Sequence, residues 1–345
     1  SVKSSKMLAK SLALVVALAL SVSADYLYFS HNDGNIAVRD LNSDRSTSSS
    51  MDDIITGDGS IADLVVHMSK GLIYWTDEST RSIMRAKLDG SEITTVLEKD
   101  GHPYGLVVDS KRDHLYWSCH ATDSVYRANI DHISSENKHQ VASISQPHGL
   151  ELDSNREMIY IAGNTDGIIY QYSLVDGSLS ELMTEMSEPR FLTVSTSQTK
   201  LYVTEGTGKV KFIYFDDVTN GATTVIDSLM SPMGIVLSDD DVFLSDDKAN
   251  FIYKISEGGL PMVATANSIL IESTTPRAVA IYSEDISPVE SPSVMEAASM
   301  SSSFVPSGRS VAFIGGIAAI AVGSVMIVAG IAQAIQQKEQ YFEIA

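Results

Sequence analysis

The sequence predicts an all-β fold, a six-bladed β-propeller, followed by one C-terminal transmembrane α-helix. Three observations predict it. An aromatic strand motif recurs about every 42 residues, a second apolar strand motif recurs in step with it, and a 25-residue stretch near the C-terminus carries no charge.

The first motif is read at "YLYFSH" (26–31), "LIYWTD" (72–77), "LYWSC" (115–119), "IYIAG" (159–163), "LYVTE" (201–205) and "VFLSD" (242–246). Its aromatic positions Tyr28, Tyr74, Tyr116, Tyr160, Tyr202 and Phe243 are separated by 46, 42, 44, 42 and 41 residues. A steady spacing of strand-rich units predicts a propeller. The second motif aligns without gaps as "IADLVV" (61–66), "PYGLVVD" (103–109), "PHGLELD" (147–153), "PRFLTV" (189–194), "PMGIVL" (232–237) and "PRAVAI" (276–281). These apolar or alternating runs predict the strands nearest the axis. "SIMRAKLDG" and "SVYRANIDH" supply a third strand, Asp89-Gly90 a turn, and "EITTVLE" (92–98) a fourth strand.

Six copies make six blades over residues 25–285. The chain enters at the second strand of a blade whose first strand, "PRAVAI", lies at the other end of the domain. Pairing the two ends closes the ring and removes the open sheet edges.

These residues resemble the YWTD, or low-density-lipoprotein receptor class B, propeller family. The resemblance is densest over residues 71–153, where "LIYWTD", "IMRAKLDG", "PYGLVVD", "LYWSC" and "PHGLELD" stand together. In the second half Ile161, Val203 and Leu244 replace the tryptophan, and Asp246 keeps the terminal acid. The resemblance implies a propeller of the YWTD type. The family's members usually carry cysteine-rich modules, which a chain with one cysteine, Cys119, does not contain.

Outside the repeats, residues 7–24, "MLAKSLALVVALALSVSA", read as a secretory signal with Met7 as the start, so that residues 1–24 are leader. Residues 286–309 are rich in Ser and Pro and read as an extended stalk. Residues 310–335 contain the uncharged run and read as a membrane-spanning helix, which needs roughly 20 apolar residues. Gly315, Ala319 and Gly323 share one face of it, a spacing that suits a helix-mediated dimer and equally the ordinary composition of membrane helices. Residues 336–345 form the cytoplasmic tail, in which Tyr341 and Ile344 match the Y-x-x-Φ pattern taken up by clathrin-adaptor-type sorting machinery.

The net charge of −20 and pI near 4.6 exclude a nucleic-acid partner, which needs a basic footprint. A single cysteine excludes an internal disulfide and a CxxC metal site, and Cys119 reads as a structural thiol at a strand end. Calcium-dependent propeller enzymes need several oxygen ligands in the channel. The second positions of the axial strands are Ala62, Tyr104, His148, Arg190, Met233 and Arg277, and the third are Asp63, Gly105, Gly149, Phe191, Gly234 and Ala278. One acid among these twelve, and no G-x-S-x-G elbow, predict that the chain is not an enzyme and holds no metal or cofactor. Tyr74, Trp75, Tyr116 and Trp117 read as blade packing, and Asp77 and Asp246 as hydrogen-bonding groups between strands and blades.

Against the acidic background the channel mouth is cationic and aromatic. His102, Tyr104, His120, His148, Arg190, Met233 and Arg277 are the candidate ligand-binding residues, suited to a carboxylate or amide-bearing peptide. The alternative is that the arginines pair with acids such as Glu188 or Glu205. The three histidines predict a ligand affinity that changes between about pH 7.4 and about pH 5.5. Together these segments read as a single-pass type I receptor-like protein of the cell surface or the endosomal and lysosomal system, whose propeller binds a protein ligand. The alternatives are a membrane-anchored propeller hydrolase and a structural or adhesive surface protein.

Overall fold

The computed structural model describes residues 24–31, 34–42, 52–57, 59–259 and 269–284. The chain parts into two units, Ser1–Ser287 and Pro288–Ala345, and every described residue belongs to the first. The leader, the stalk, the membrane-spanning run with Gly315, Ala319 and Gly323, and the tail with Tyr341 and Ile344 lie outside the described residues. Among the described residues no helix is long and apolar enough to cross a membrane.

Six four-stranded antiparallel sheets form the blades. In blades 2 to 6 the axial strands are Ile61–His67, Pro103–Asp109, Pro147–Asp153, Pro189–Val194 and Pro232–Ser238. Each pairs with the aromatic strand that follows, Leu72–Asp77, His114–Cys119, Met158–Gly163, Lys200–Glu205 and Asp241–Asp246. Blade 1 is built from both ends of the propeller. Val279–Glu284 is its axial strand and pairs antiparallel with Ala24–His31, bringing Tyr282 opposite Tyr26 and Ala280 opposite Tyr28. The predicted ring closure is therefore present, with the paired strand beginning three residues later than "PRAVAI" starts. The outer strand of blade 2 is also shorter than "EITTVLE", running Thr94–Leu97.

The apolar surface is spent between blades. Six hydrophobic clusters lie among the described residues, one at each blade–blade seam. Between blades 2 and 3, Tyr74, Ile83 and Leu97 pack against Leu106, Trp117 and Ala128. The aromatic residue of each repeat, tyrosine in five and Phe243 in the sixth, is buried there, and Trp117 is fully buried. Truncating such a residue to alanine costs about 3–5 kcal/mol. Tyr74, Trp75, Tyr116 and Trp117 are thus packing residues, as their repetition predicts.

The hydroxyl residue of the aromatic motif makes the polar link between blades. Thr76 Oγ1 accepts from Asp63 N–H on its own axial strand at 3.0 Å and donates to the Tyr104 carbonyl of the next at 2.8 Å. Thr204 repeats this with Phe191 and Met233, and Ser245 donates to the Arg277 carbonyl. Buried backbone groups at the axis are thereby satisfied without water. Asp77 and Asp246 do something else. Asp77 accepts the Ser79 and Thr80 N–H groups of its own turn, and Asp246 accepts those of Met230, Ser231 and Ala249. Of the expected bonds between strands and blades, Asp246 makes one to the segment entering its paired axial strand, while the links between blades come not from these acids but from their hydroxyl neighbours.

At three of the axial strands, those with Gly105, Gly149 and Gly234 at the third position, the next strand approaches too closely for a side chain. A Cβ on Gly149 would lie 2.6 Å from the Arg190 carbonyl oxygen, and one on Gly105 2.4 Å from that of His148. Each of the five axial strands of blades 2 to 6 breaks register between its first and fourth residues, the bulge that turns its second residue toward the mouth.

Candidate functional site at the channel mouth

The second residues of the axial strands converge at one end of the ring. Tyr104 stands at the centre of the cluster. Its ring centroid lies 4.2 Å from that of His120, 4.5 Å from that of His148 and 6.0 Å from that of Phe191. His120 stacks on His148 at 4.5 Å and on His102 at 5.6 Å. The placement of His102 depends on Cys119. The fully buried Sγ accepts the His102 N–H at 3.2 Å, and His120 N–H donates to the His102 carbonyl at 3.0 Å. The structural reading of Cys119 holds, at a strand end that fixes two mouth residues.

The acid pairing expected as the alternative holds for Arg277, through a different acid, and does not hold for Arg190. Arg277 pairs with Glu78 through Nη1, donates to Ser60 Oγ at 2.6 Å, and donates to Tyr104 Oη at 3.2 Å through Nη2. Glu78 directly follows the YWTD tetrapeptide, and sequence alignment of the axial strands does not reach it. Arg190 Nη1 donates to Ser231 Oγ at 3.0 Å and to the Pro232 carbonyl at 3.3 Å, and lies 3.2 Å from Met233 Sδ. Among the described residues Arg190 forms no ion pair, and Glu205 is paired instead with Lys211 at 2.8 Å. All seven candidate residues, His102, Tyr104, His120, His148, Arg190, Met233 and Arg277, therefore share one connected cluster.

Burial sets the charge of this cluster. It pushes His148 down to about 3, with His120, Arg190 and Arg277 adding repulsion. It pushes His120 down to about 4, with His102 as the next cause. Both rings are neutral through the range from pH 7.4 to 5.5, so the expected histidine switch does not operate through them. Four polar atoms in the cluster are buried and have no hydrogen-bond partner within the protein: His102 Nδ1, His120 Nε2, His148 Nδ1 and Arg277 Nε. Such groups are rare in folded proteins and are explained by a ligand, water or a catalytic role.

Residues 71–110, from the aromatic strand of blade 2 through the axial strand of blade 3, match the family "Low-density lipoprotein receptor repeat class B". The chain is a six-bladed, all-antiparallel propeller with a class B repeat region. No curated protein matches this chain in sequence. Among solved structures, it is similar to a chain of the nidogen/laminin complex, at 18% identity and a TM-score of 0.64, covering 76% of this chain and 99% of that one. It is similar to TolB from Acinetobacter baumannii, at 14% identity and a TM-score of 0.56, covering 75% of this chain and 66% of that one. It is also similar to virginiamycin B lyase from Staphylococcus aureus, at 16% identity and a TM-score of 0.51, covering 75% of this chain and 88% of that one. At these identities the likeness is one of fold. It nevertheless corrects one expectation. A lyase shares the fold over 75% of this chain, so the lack of an acid ring at the second and third axial positions is no ground for calling the chain a non-enzyme.

The acid that the sequence comparison passed over is Glu151. It stands at the fifth axial position, where the other strands carry Val65, Val107, Thr193, Val236 and Ala280. Its signal was a lone carboxylate in an otherwise uncharged column, two residues beyond the columns compared. With Asp63 it lines a second feature of the axis, below the mouth.

Proposed function

We propose that the class B propeller is a protein-binding module, and that its mouth docks a partner presenting carboxylate or amide groups. The observation that carries this reading is the convergence of four unpartnered buried nitrogens with the unpaired guanidinium of Arg190 on one aromatic platform. Arginine suits planar recognition of carboxylates, and a neutral histidine can donate to or accept from an amide. The nidogen/laminin complex, in which a chain of this fold is found in a protein assembly, supports the reading and suits an adhesive role.

The test is crosslinking mass spectrometry of the full chain in its native setting. Partner crosslinks should disappear on Arg190→Glu and persist on Lys70→Glu, since Lys70 lies beyond the opposite end of its axial strand. A partner profile unchanged by Arg190→Glu overturns the proposal.

A second reading follows from the same histidines. His102, His120 and His148 offer unpartnered ring nitrogens to a substrate, and the fold shared with a lyase favours testing for elimination chemistry. Turnover lost in His148→Gln while partner crosslinks survive would replace the first reading by the second.

Residues 1–24, 286–309, 310–335 and 336–345 are proposed as leader, stalk, membrane span and sorting tail of a type I protein of the cell surface or endosomal and lysosomal system. The charge-free run and the Tyr341/Ile344 pattern support this. Tyr341→Ala should move the protein to the cell surface, and identical distributions of the two forms reject the sorting role.

A further inference from the structure

Below the mouth, the axis widens into a cavity of about 300 Å³. None of the seven mouth residues lines it, and at its far end it reaches Met68, which is 51% exposed. The mouth cluster thus closes one end of the axis, and access to the cavity is from the opposite face. Its wall is mostly valine, leucine and isoleucine from the axial strands, interrupted by Asp63, Glu151 and Thr193.

Those two acids are unusual within this protein. Asp63 is buried and Glu151 half-buried at the cavity wall, whereas the other buried acids have a cation or a full set of donors. Asp109 pairs with Arg112, Asp153 with Arg156 and Glu205 with Lys211, while Asp246 accepts three backbone N–H groups. Asp63 accepts Leu64 N–H at 2.9 Å and Leu106 N–H at 2.8 Å, and Glu151 accepts Val194 N–H at 2.8 Å. Among the described residues neither forms an ion pair. A buried carboxylate without a cation is costly, and a cation arriving in the cavity removes that cost.

We propose that this cavity is a binding site for a slender organic amine, which enters from the face opposite the mouth, lays its alkyl body on the valine and isoleucine wall, and places its ammonium group between Glu151, Asp63 and Thr193. The chemistry of the wall selects this class. Calcium needs about six to eight oxygen ligands, more than two carboxylates and one hydroxyl supply, and no metal-binding group of three or more His, Cys, Asp or Glu occurs among the described residues. An alkylammonium has three N–H donors and an apolar tail, and both halves find their complement here. Burial pushes Glu151 up to about 8 and Asp63 up to about 7, so binding of the ammonium form near neutral pH releases a proton from the site.

The test titrates the full chain with n-butylammonium and, as the uncharged equivalent, n-butanol, by calorimetry in two buffers of different ionisation enthalpy. Butylammonium should bind with proton release, and butanol should bind at least tenfold more weakly. Glu151→Gln should weaken the amine tenfold or more, and Val236→Phe, which narrows the cavity and leaves both acids in place, should abolish it. Lys111→Gln, at an exposed lysine away from the axis, should leave it unchanged. Equal binding of butanol, no binding of either compound, or amine binding undiminished in Val236→Phe overturns the proposal. That last variant keeps the question open to an answer should Glu151→Gln fail to fold.

Discussion

The hydroxyl of Ser118 donates to the carbonyl oxygen of His148 at 2.6 Å while accepting from Gly105 N–H at 2.7 Å. One small side chain therefore joins two blades and holds the backbone beneath a mouth residue. Ser118→Ala leaves a buried donor and a buried acceptor unpaired and should cost about 1–3 kcal/mol in denaturant unfolding. Blade 4 supplies the converse experiment. Ala162 occupies the equivalent place and is fully buried. Ala162→Ser should add the missing link and raise stability by about 0.5–1.5 kcal/mol, the net value of a typical intramolecular hydrogen bond.

Ring closure makes a second prediction. Removing residues 275–284 takes away the axial strand of blade 1 and bares the edge of Ala24–His31, a row of unpaired backbone groups. The truncated protein should aggregate, as size-exclusion chromatography would show. A monomer with an ordinary melting profile would contradict the role given to this pairing.

The third prediction concerns Arg277 and Glu78, whose side chains are 19% and 20% exposed. Breaking a largely buried ion pair leaves the other charge uncompensated. Glu78→Gln and Arg277→Met should each destabilise, and the double variant should lose less than the two together, with a coupling of about 1–3 kcal/mol. Additive losses would show that the contact contributes nothing of its own.

Stability should also depend on pH with a sign that changes across the scale. Asp63 and Glu151 titrate in the fold at about 7 and about 8, above their ordinary values, so their stabilising share is complete below about pH 4 and is lost as pH rises through 7 and 8. His120 and His148, held down at about 4 and about 3, contribute above the ordinary 6.5 and lose that contribution as pH falls. Between about pH 6.5 and 8 the carboxyl groups act without the histidines. Melting temperature should fall with rising pH there, each group contributing at most about 1.4 kcal/mol per pH unit. Glu151→Gln should flatten the slope, and an unchanged slope would assign the dependence elsewhere.

The blades were legible in the sequence because a propeller repeats its packing problem. Tyr74 and Tyr116 meet equivalent neighbours in successive blades, so the same residue type returns at the same place. The mouth cluster was legible for a related reason: alignment of the axial strands puts His148, Arg190 and Arg277 in one column. What alignment could not supply was partnership. Glu78 reaches Arg277 of the neighbouring blade from a loop 199 residues earlier in the chain, and no local pattern encodes that contact. The protonation of His120 and His148 was hidden for the same cause, since it depends on how deeply the fold buries the rings and on which charges it gathers around them. Glu151 lay in plain view but outside the columns compared, and its meaning depends on facing a cavity whose walls come from all six blades.

Blade 1 also sets a timetable. Its second strand ends at His31 and its axial strand begins at Val279, so one leaves the ribosome long before the other. At a synthesis rate of about 5–20 residues per second, the first strand waits on the order of 10–50 seconds for the segment that will cover it. Hairpins form in microseconds, so local folding is finished long before that segment arrives. Five blades can mature in sequence as the chain emerges, while the sixth is held incomplete by the order in which the message is read. A nascent chain stalled before Val279 would present the bare strand to its neighbours, and the cell's first contact with this protein is with that unfinished blade.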